Sequence, residues 1–124
     1  MKKLIYSFVA FICLTLAACG SSVDYKALSQ KAENNPASLT QQDYSDMIEY
    51  LDNVLDKAIK AKDGHALDND AYAETFFTAL FDGKLTAEGD GFGSGEYPAL
   101  DASNKAKFEK LTNKTTELVK AVMQ

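Results

Sequence analysis

The sequence predicts an all-α domain, a small bundle of three to four helices with a long glycine-rich loop before the last one. Three observations carry this. Apolar residues between positions 44 and 59 recur at steps of three and four, drawing one continuous face on a helix. Helix-starting and helix-stopping residues bracket that segment and two others. No segment shows the period-two alternation of a half-buried strand.

The first helix is predicted over residues 23–34, where Tyr25, Leu28 and Ala32 make a thin apolar stripe and Asn34-Asn35-Pro36 ends it. The residue before a proline avoids the helical region, hence the stop. The second helix is the best specified. Thr40 is its expected cap, with Asp43 in the place of the usual Glu or Gln of a capping box and Leu39 and Tyr44 as a hydrophobic staple. Tyr44, Met47, Ile48, Leu51, Val54, Leu55, Ala58 and Ile59 form its apolar face, and Asp63-Gly64 supplies the stop.

A third helix is expected over residues 69–82, capped by Asp68 and closed by Gly83. Tyr72, Phe76, Phe77, Leu80 and Phe81 make it the most aromatic element, and its rings are expected in the core. Residues 84–100 lack either period and hold Gly89, Gly91, Gly93 and Gly95, so they read as the long loop. The last helix is predicted over residues 102–122. Phe108, Leu111, Thr115, Leu118, Val119 and Val122 should face the core, and Lys105, Lys107, Glu109, Lys110 and Lys114 the water.

Ahead of this domain, Met1-Lys2-Lys3 opens an apolar run that ends in Leu16-Ala17-Ala18-Cys19. The apolar stretch of residues 4–18 is fifteen positions long, short of the roughly 20 needed to cross the hydrocarbon core. A positive start, a short apolar middle and a small-residue exit form the secretory pattern. With cysteine at the cleavage point, the segment resembles the signal of a bacterial lipoprotein precursor. The resemblance implies that Cys19 receives a diacylglyceryl thioether, that cleavage precedes it, and that Cys19 becomes the acylated first residue. It divides the chain into a signal peptide (1–18), a lipidated tether (19–22) and one helical domain (23–124). It also implies a cell-envelope, lipid-anchored protein. Gly20 lacks the aspartate that marks inner-membrane retention in enteric-type bacteria, which favours the outer membrane, facing the periplasm, in a Gram-negative host.

Removal of residues 1–18 leaves 106 residues, with 11 lysines against 18 acidic residues, a net charge of −7. No arginine is present. An acidic, arginine-free surface argues against nucleic acid, which draws on clustered positive charge. It argues equally against docking flat on anionic lipid. The expected partners are therefore the membrane, through the N-terminal lipid alone, and a protein or envelope component. With Cys13 in the signal and Cys19 acylated, no thiol is left for a disulfide, so stability must come from packing.

No set of residues has the pattern of a catalytic or metal site, and no cofactor or enzymatic activity is expected. His65, the one histidine, reads as a solvated loop residue. Glu88, Asp90 and Glu96 lie among glycines, but a calcium loop counted from Glu88 puts Phe92 at position five and Ala99 at position twelve, where acidic ligands belong. The loop also lacks the Gly-Lys-Ser/Thr ending of a phosphate cradle. Its two aromatics, Phe92 and Tyr97, are the candidate interaction residues, either anchoring a partner or folding back over the open end of the bundle. The leading expectation is a non-enzymatic interaction module. The alternative is a carrier or sensor holding a small apolar ligand between helices around Phe76, Phe77 and Phe81.

Overall fold

A computed structural model describes residues 23–89 and 96–124, and every regular element among them is helical. In chain order these are α1 (Tyr25–Asn34), a 3-10 turn (Pro36–Ser38), α2 (Gln41–Ala61), the short α3 (Ala66–Asn69), α4 (Ala73–Glu88) and α5 (Ala102–Val122). Cys19 and the signal segment lie outside the described residues, as do Asp90, Gly91, Phe92, Gly93 and Gly95. Among the described residues no helix is long and apolar enough to cross a membrane.

α2 begins as its sequence demands. The Thr40 hydroxyl accepts from the Asp43 amide (3.0 Å) while the Asp43 carboxylate accepts from the Thr40 amide (2.9 Å). This reciprocal cap satisfies two of the donors that a helix start leaves free. Leu39 and Tyr44, the two staple residues, are both buried. The helix closes one residue earlier than Asp63-Gly64 suggests. Lys62 itself takes the left-handed conformation (φ 53°), and the Asp63 amide donates back to the Ala58 carbonyl (2.9 Å). A residue with a Cβ pays in steric strain for that conformation.

The third predicted helix is displaced. α4 starts four residues later than expected, because Asp70 rather than Asp68 caps it: the Asp70 carboxylate accepts from the Tyr72 and Ala73 amides (2.9 and 3.0 Å). The stretch between the long helices carries the extra short helix α3 instead. Gly83 does not close α4. It lies buried within it, and the helix runs on to Gly89, whose φ of +67° makes the left-handed cap. The first five residues of the expected loop are therefore helical.

Gly83 has a tertiary reason to sit mid-helix. A Cβ there would lie 2.9 Å from the Pro98 carbonyl oxygen and 3.0 Å from the Tyr44 hydroxyl. The missing side chain lets residues 97–100 lie against α4, where the Leu100 amide donates to the Gly83 carbonyl (3.2 Å) and the Tyr44 hydroxyl to the Pro98 carbonyl (2.7 Å). Burial pushes the Tyr44 phenol well above its ordinary range, with the charge on Asp82 adding to it.

Cross-helix pairs set the directions of the helices. Gln41 meets Asn104, Ser45 meets Lys107, and Asp52 and Asp56 meet Lys114, so α2 and α5 run parallel in the most extensive helix pairing of the fold. Tyr44 against Gly83 and Tyr50 against Asp70 make α4 antiparallel to α2. Lys31 against Asp43 and Tyr25 against Tyr50 make α1 antiparallel to α2 as well. The shared core is filled by Tyr44, Met47, Leu51, Leu55, Phe76, Leu80 and Leu111, all essentially inaccessible.

Three side chains assigned to the core by period alone lie outside it. Phe81 is 55% exposed and Val119 56%, with Val122 also exposed, while Phe77 is half-buried with its ring 6.4 Å from that of Phe108. Lys114, expected in water, is drawn in between two carboxylates, Asp52 at 2.6 Å and Asp56 at 2.7 Å. Hydrogen bonds from its ammonium to those carboxylates raise its pKa above the ordinary lysine range.

Candidate functional site

Along α2, Tyr50, Asn53, Val54, Lys57, Ala58 and Ala61 fall at the spacing of one helix face, with Ala58 buried at its base and Asn53, Lys57 and Ala61 exposed. Together with Tyr25, Asp63, Ala66, Asn69 and Asp70, they line an open groove of about 570 Å³. The α2 stripe alone runs roughly 16 Å at the usual rise per residue. The volume lies within the range of small-ligand clefts, and small alanine side chains make part of its wall.

One end of this groove is aromatic. The Tyr25 and Tyr50 rings are tilted with centroids 4.7 Å apart. Tyr50 in turn meets Phe76 edge-on at 5.4 Å and Tyr72 at 6.0 Å, and Tyr72 stacks on Phe76 at 6.0 Å. Such pairs contribute about 0.5–1.5 kcal/mol beyond their buried area. Asp70 holds the cluster in register. Its Oδ1 caps α4, and both its oxygens accept from the Tyr50 hydroxyl (2.9 and 2.8 Å), which ties α2 to α4. Burial first, then that hydrogen bond and the carboxylate charge, push the Tyr50 phenol well above its ordinary range. Burial also raises Tyr25, with the charges of Glu49 and Asp46 adding to it.

A second groove, about 290 Å³, lies at the far end of α2 and α5, lined by Gly64, Leu67, Leu118, Val119, Val122 and Met123. It is almost wholly apolar, and Met123 is 80% exposed.

Of the sequence candidates, Tyr97 is half-buried and packs against the hydrophobic core. Its phenol is raised by burial, then by the charges of Asp82, Glu96 and Glu33. Phe92 and Cys19 fall outside the described residues. His65 is exposed, with its Nδ1 3.7 Å from an equally exposed Asp68 carboxylate. Glu88 pairs with Lys84 one turn back (3.0 Å). Among the described residues no three of His, Cys, Asp and Glu come together in an arrangement that could hold a metal ion. No buried side-chain N or O atom among them lacks a hydrogen-bond partner.

Sequence reasoning missed the Tyr25–Tyr50–Asp70 cluster. The sequence offers Tyr25 only as part of an apolar stripe, gives Tyr50 no place on the apolar face of α2, and leaves Asp68 as the expected cap. The signal was present in the spacing of Asp70 before Ala73, but only if the helix start is known. Comparison with protein-family models, with curated proteins and with solved structures found no match.

Proposed function

We propose that the chain is a small lipid-anchored envelope protein whose helical domain is a non-enzymatic binding module for a protein or envelope component. The observation that carries the binding reading is where apolar and aromatic surface is left over. The interior is packed with large side chains, whereas Tyr25 and Tyr50 border one open surface groove and Val119, Val122 and Met123 another. A carrier needs an internal cavity for its ligand, while an interaction module fills its core and keeps exposed apolar surface. The rings suggested for a carrier site do not share a pocket: Phe76 is inaccessible, Phe77 packs near Phe108, and Phe81 points to solvent. Two or more acyl chains would hold a domain of this size stably at a bilayer.

The anchor and the binding role are tested together by fractionation and crosslinking in intact cells. Wild-type protein should partition with membranes and crosslink to a reproducible envelope component. Cys19→Ser should yield an unprocessed precursor or soluble protein. Membrane partitioning of that variant at the normal mature mass would refute the lipid anchor. Absence of any reproducible crosslinked species would refute the binding module.

A further inference from the structure

We propose that the groove along α2 is a lysine-reading site, in which Tyr25, Tyr50 and Asp70 receive the ammonium group of a lysine side chain on a basic partner polypeptide. The inference deepens the binding reading above and rests on it for the existence of a partner, but not for the chemistry of the site.

Aromatic rings beside a carboxylate attract an organic cation, through the ring quadrupole and through charge. Tyr25 and Tyr50 are both partly accessible where they border the groove. Asp70 Oδ1 is occupied by the Tyr72 and Ala73 amides and the Tyr50 hydroxyl, whereas Oδ2 accepts from the Tyr50 hydroxyl alone and retains acceptor capacity. Asp63 lines the same groove, and the charges of Glu49 and Asp46 are felt at Tyr25. Two carboxylates, Asp63 and Asp70, thus line the groove against one cation, Lys57, two helical turns along α2 from Tyr50.

The wider charge distribution agrees with this polarity. α5 carries five lysines and two glutamates, so the rest of residues 23–124 holds six lysines against sixteen acidic residues. A basic chain is attracted to a domain with this excess of negative charge. The groove's length favours an extended side chain with neighbouring backbone over a compact small molecule.

The test titrates hexalysine into the full-length protein in an uncharged detergent at low salt, following backbone-amide and tyrosine-ring NMR signals. Saturable shifts should concentrate at Tyr25, Tyr50 and Asp70, with hexaglutamate causing none. Lys57→Glu, at an exposed position, should tighten hexalysine binding at least threefold, and Tyr25→Leu should weaken it at least fivefold. Shifts spread equally to Asp52, Asp56 and Asp101, with neither variant changing Kd, would overturn the proposal. Choline binding at the same signals as tightly as hexalysine would also overturn it, in favour of a small-ammonium site. Absence of hexalysine binding would overturn the proposal while leaving the crosslinking result above intact, and a failed crosslink leaves this titration intact.

Discussion

The two ends of the bundle are built on different principles. Where α2 and α5 begin, polar groups lock backbone segments together. Gln41 accepts from the Asp101 amide (3.0 Å) and from the buried Asn104 side chain (2.9 Å), and donates to the Ala99 carbonyl (2.8 Å). Tyr44 and Gly83 clamp residues 97–100 a turn away, and Lys31 reaches the capping Asp43 (2.7 Å). Where the same helices finish, Lys62 sits in a left-handed conformation, Gly64 leaves room beside Val122, and Val119, Val122 and Met123 face solvent. Satisfied buried hydrogen bonds specify one geometry, whereas an exposed apolar end tolerates many. The contrast is one of position: the locking polar contacts are concentrated at one end, and the exposed apolar side chains Val119, Val122 and Met123 at the other.

The sharpest way to break it is Tyr44→Ala, which removes an inaccessible ring and its bond to Pro98. A loss of about 3–5 kcal/mol in denaturant unfolding is expected, as for other large aromatic truncations. A loss under about 1 kcal/mol would mean that the clamp does not hold this end. Gly83→Ala comes next. It forces a methyl group against the Pro98 oxygen and the Tyr44 hydroxyl, and should destabilise by about 1–3 kcal/mol despite alanine's better helix propensity. A stabilised variant would show that residues 97–100 yield freely.

Asp43 gives the locked end a pH signature. Burial on its own would raise the carboxyl pKa, but hydrogen bonds from Lys31 and Thr40 outweigh it and hold the group below its ordinary 3.8. A folded-state pKa depressed below the unfolded value contributes stability above the unfolded pKa, lost as pH falls through the folded one. Wild type should therefore lose more stability than Asp43→Asn as pH is lowered from about 5 to about 2. Parallel pH profiles for the two proteins would remove Asp43 from the account.

At the open end the expected effects are small and of opposite sign. Lys62→Gly relieves a left-handed residue and should raise stability by up to about 1 kcal/mol in the same unfolding assay. Val122→Ser should change stability by no more than about 0.5 kcal/mol, as at other exposed positions. A drop of 2 kcal/mol or more there, well above that ~0.5 kcal/mol range, would show that the end is closed in solution.

What the sequence determined by itself is what short-range chemistry can specify. The helical class, the Thr40–Asp43 box, the buried stripe from Tyr44 to Ala58 and the extent of α5 over residues 102–122 each depend on residues within a turn or two of one another. Tertiary structure decided the rest. Asp68 and Asp70 are equivalent as local caps, and the choice fell to Asp70 because its carboxylate also receives the Tyr50 hydroxyl from another helix. A glycine after an apolar-periodic run reads as a helix end, yet Gly83 lies inside α4, since the cost of a mid-helix glycine, about 0.5–1 kcal/mol, is offset by the close approach of Pro98 and Tyr44. Likewise, period alone placed Phe81 and Val119 on core faces, but a helix face is buried only as far as a neighbouring helix covers it. The groove beside Tyr25, Tyr50 and Asp70 has the same origin: three residues from three segments meet only because α1 and α4 both run antiparallel to α2.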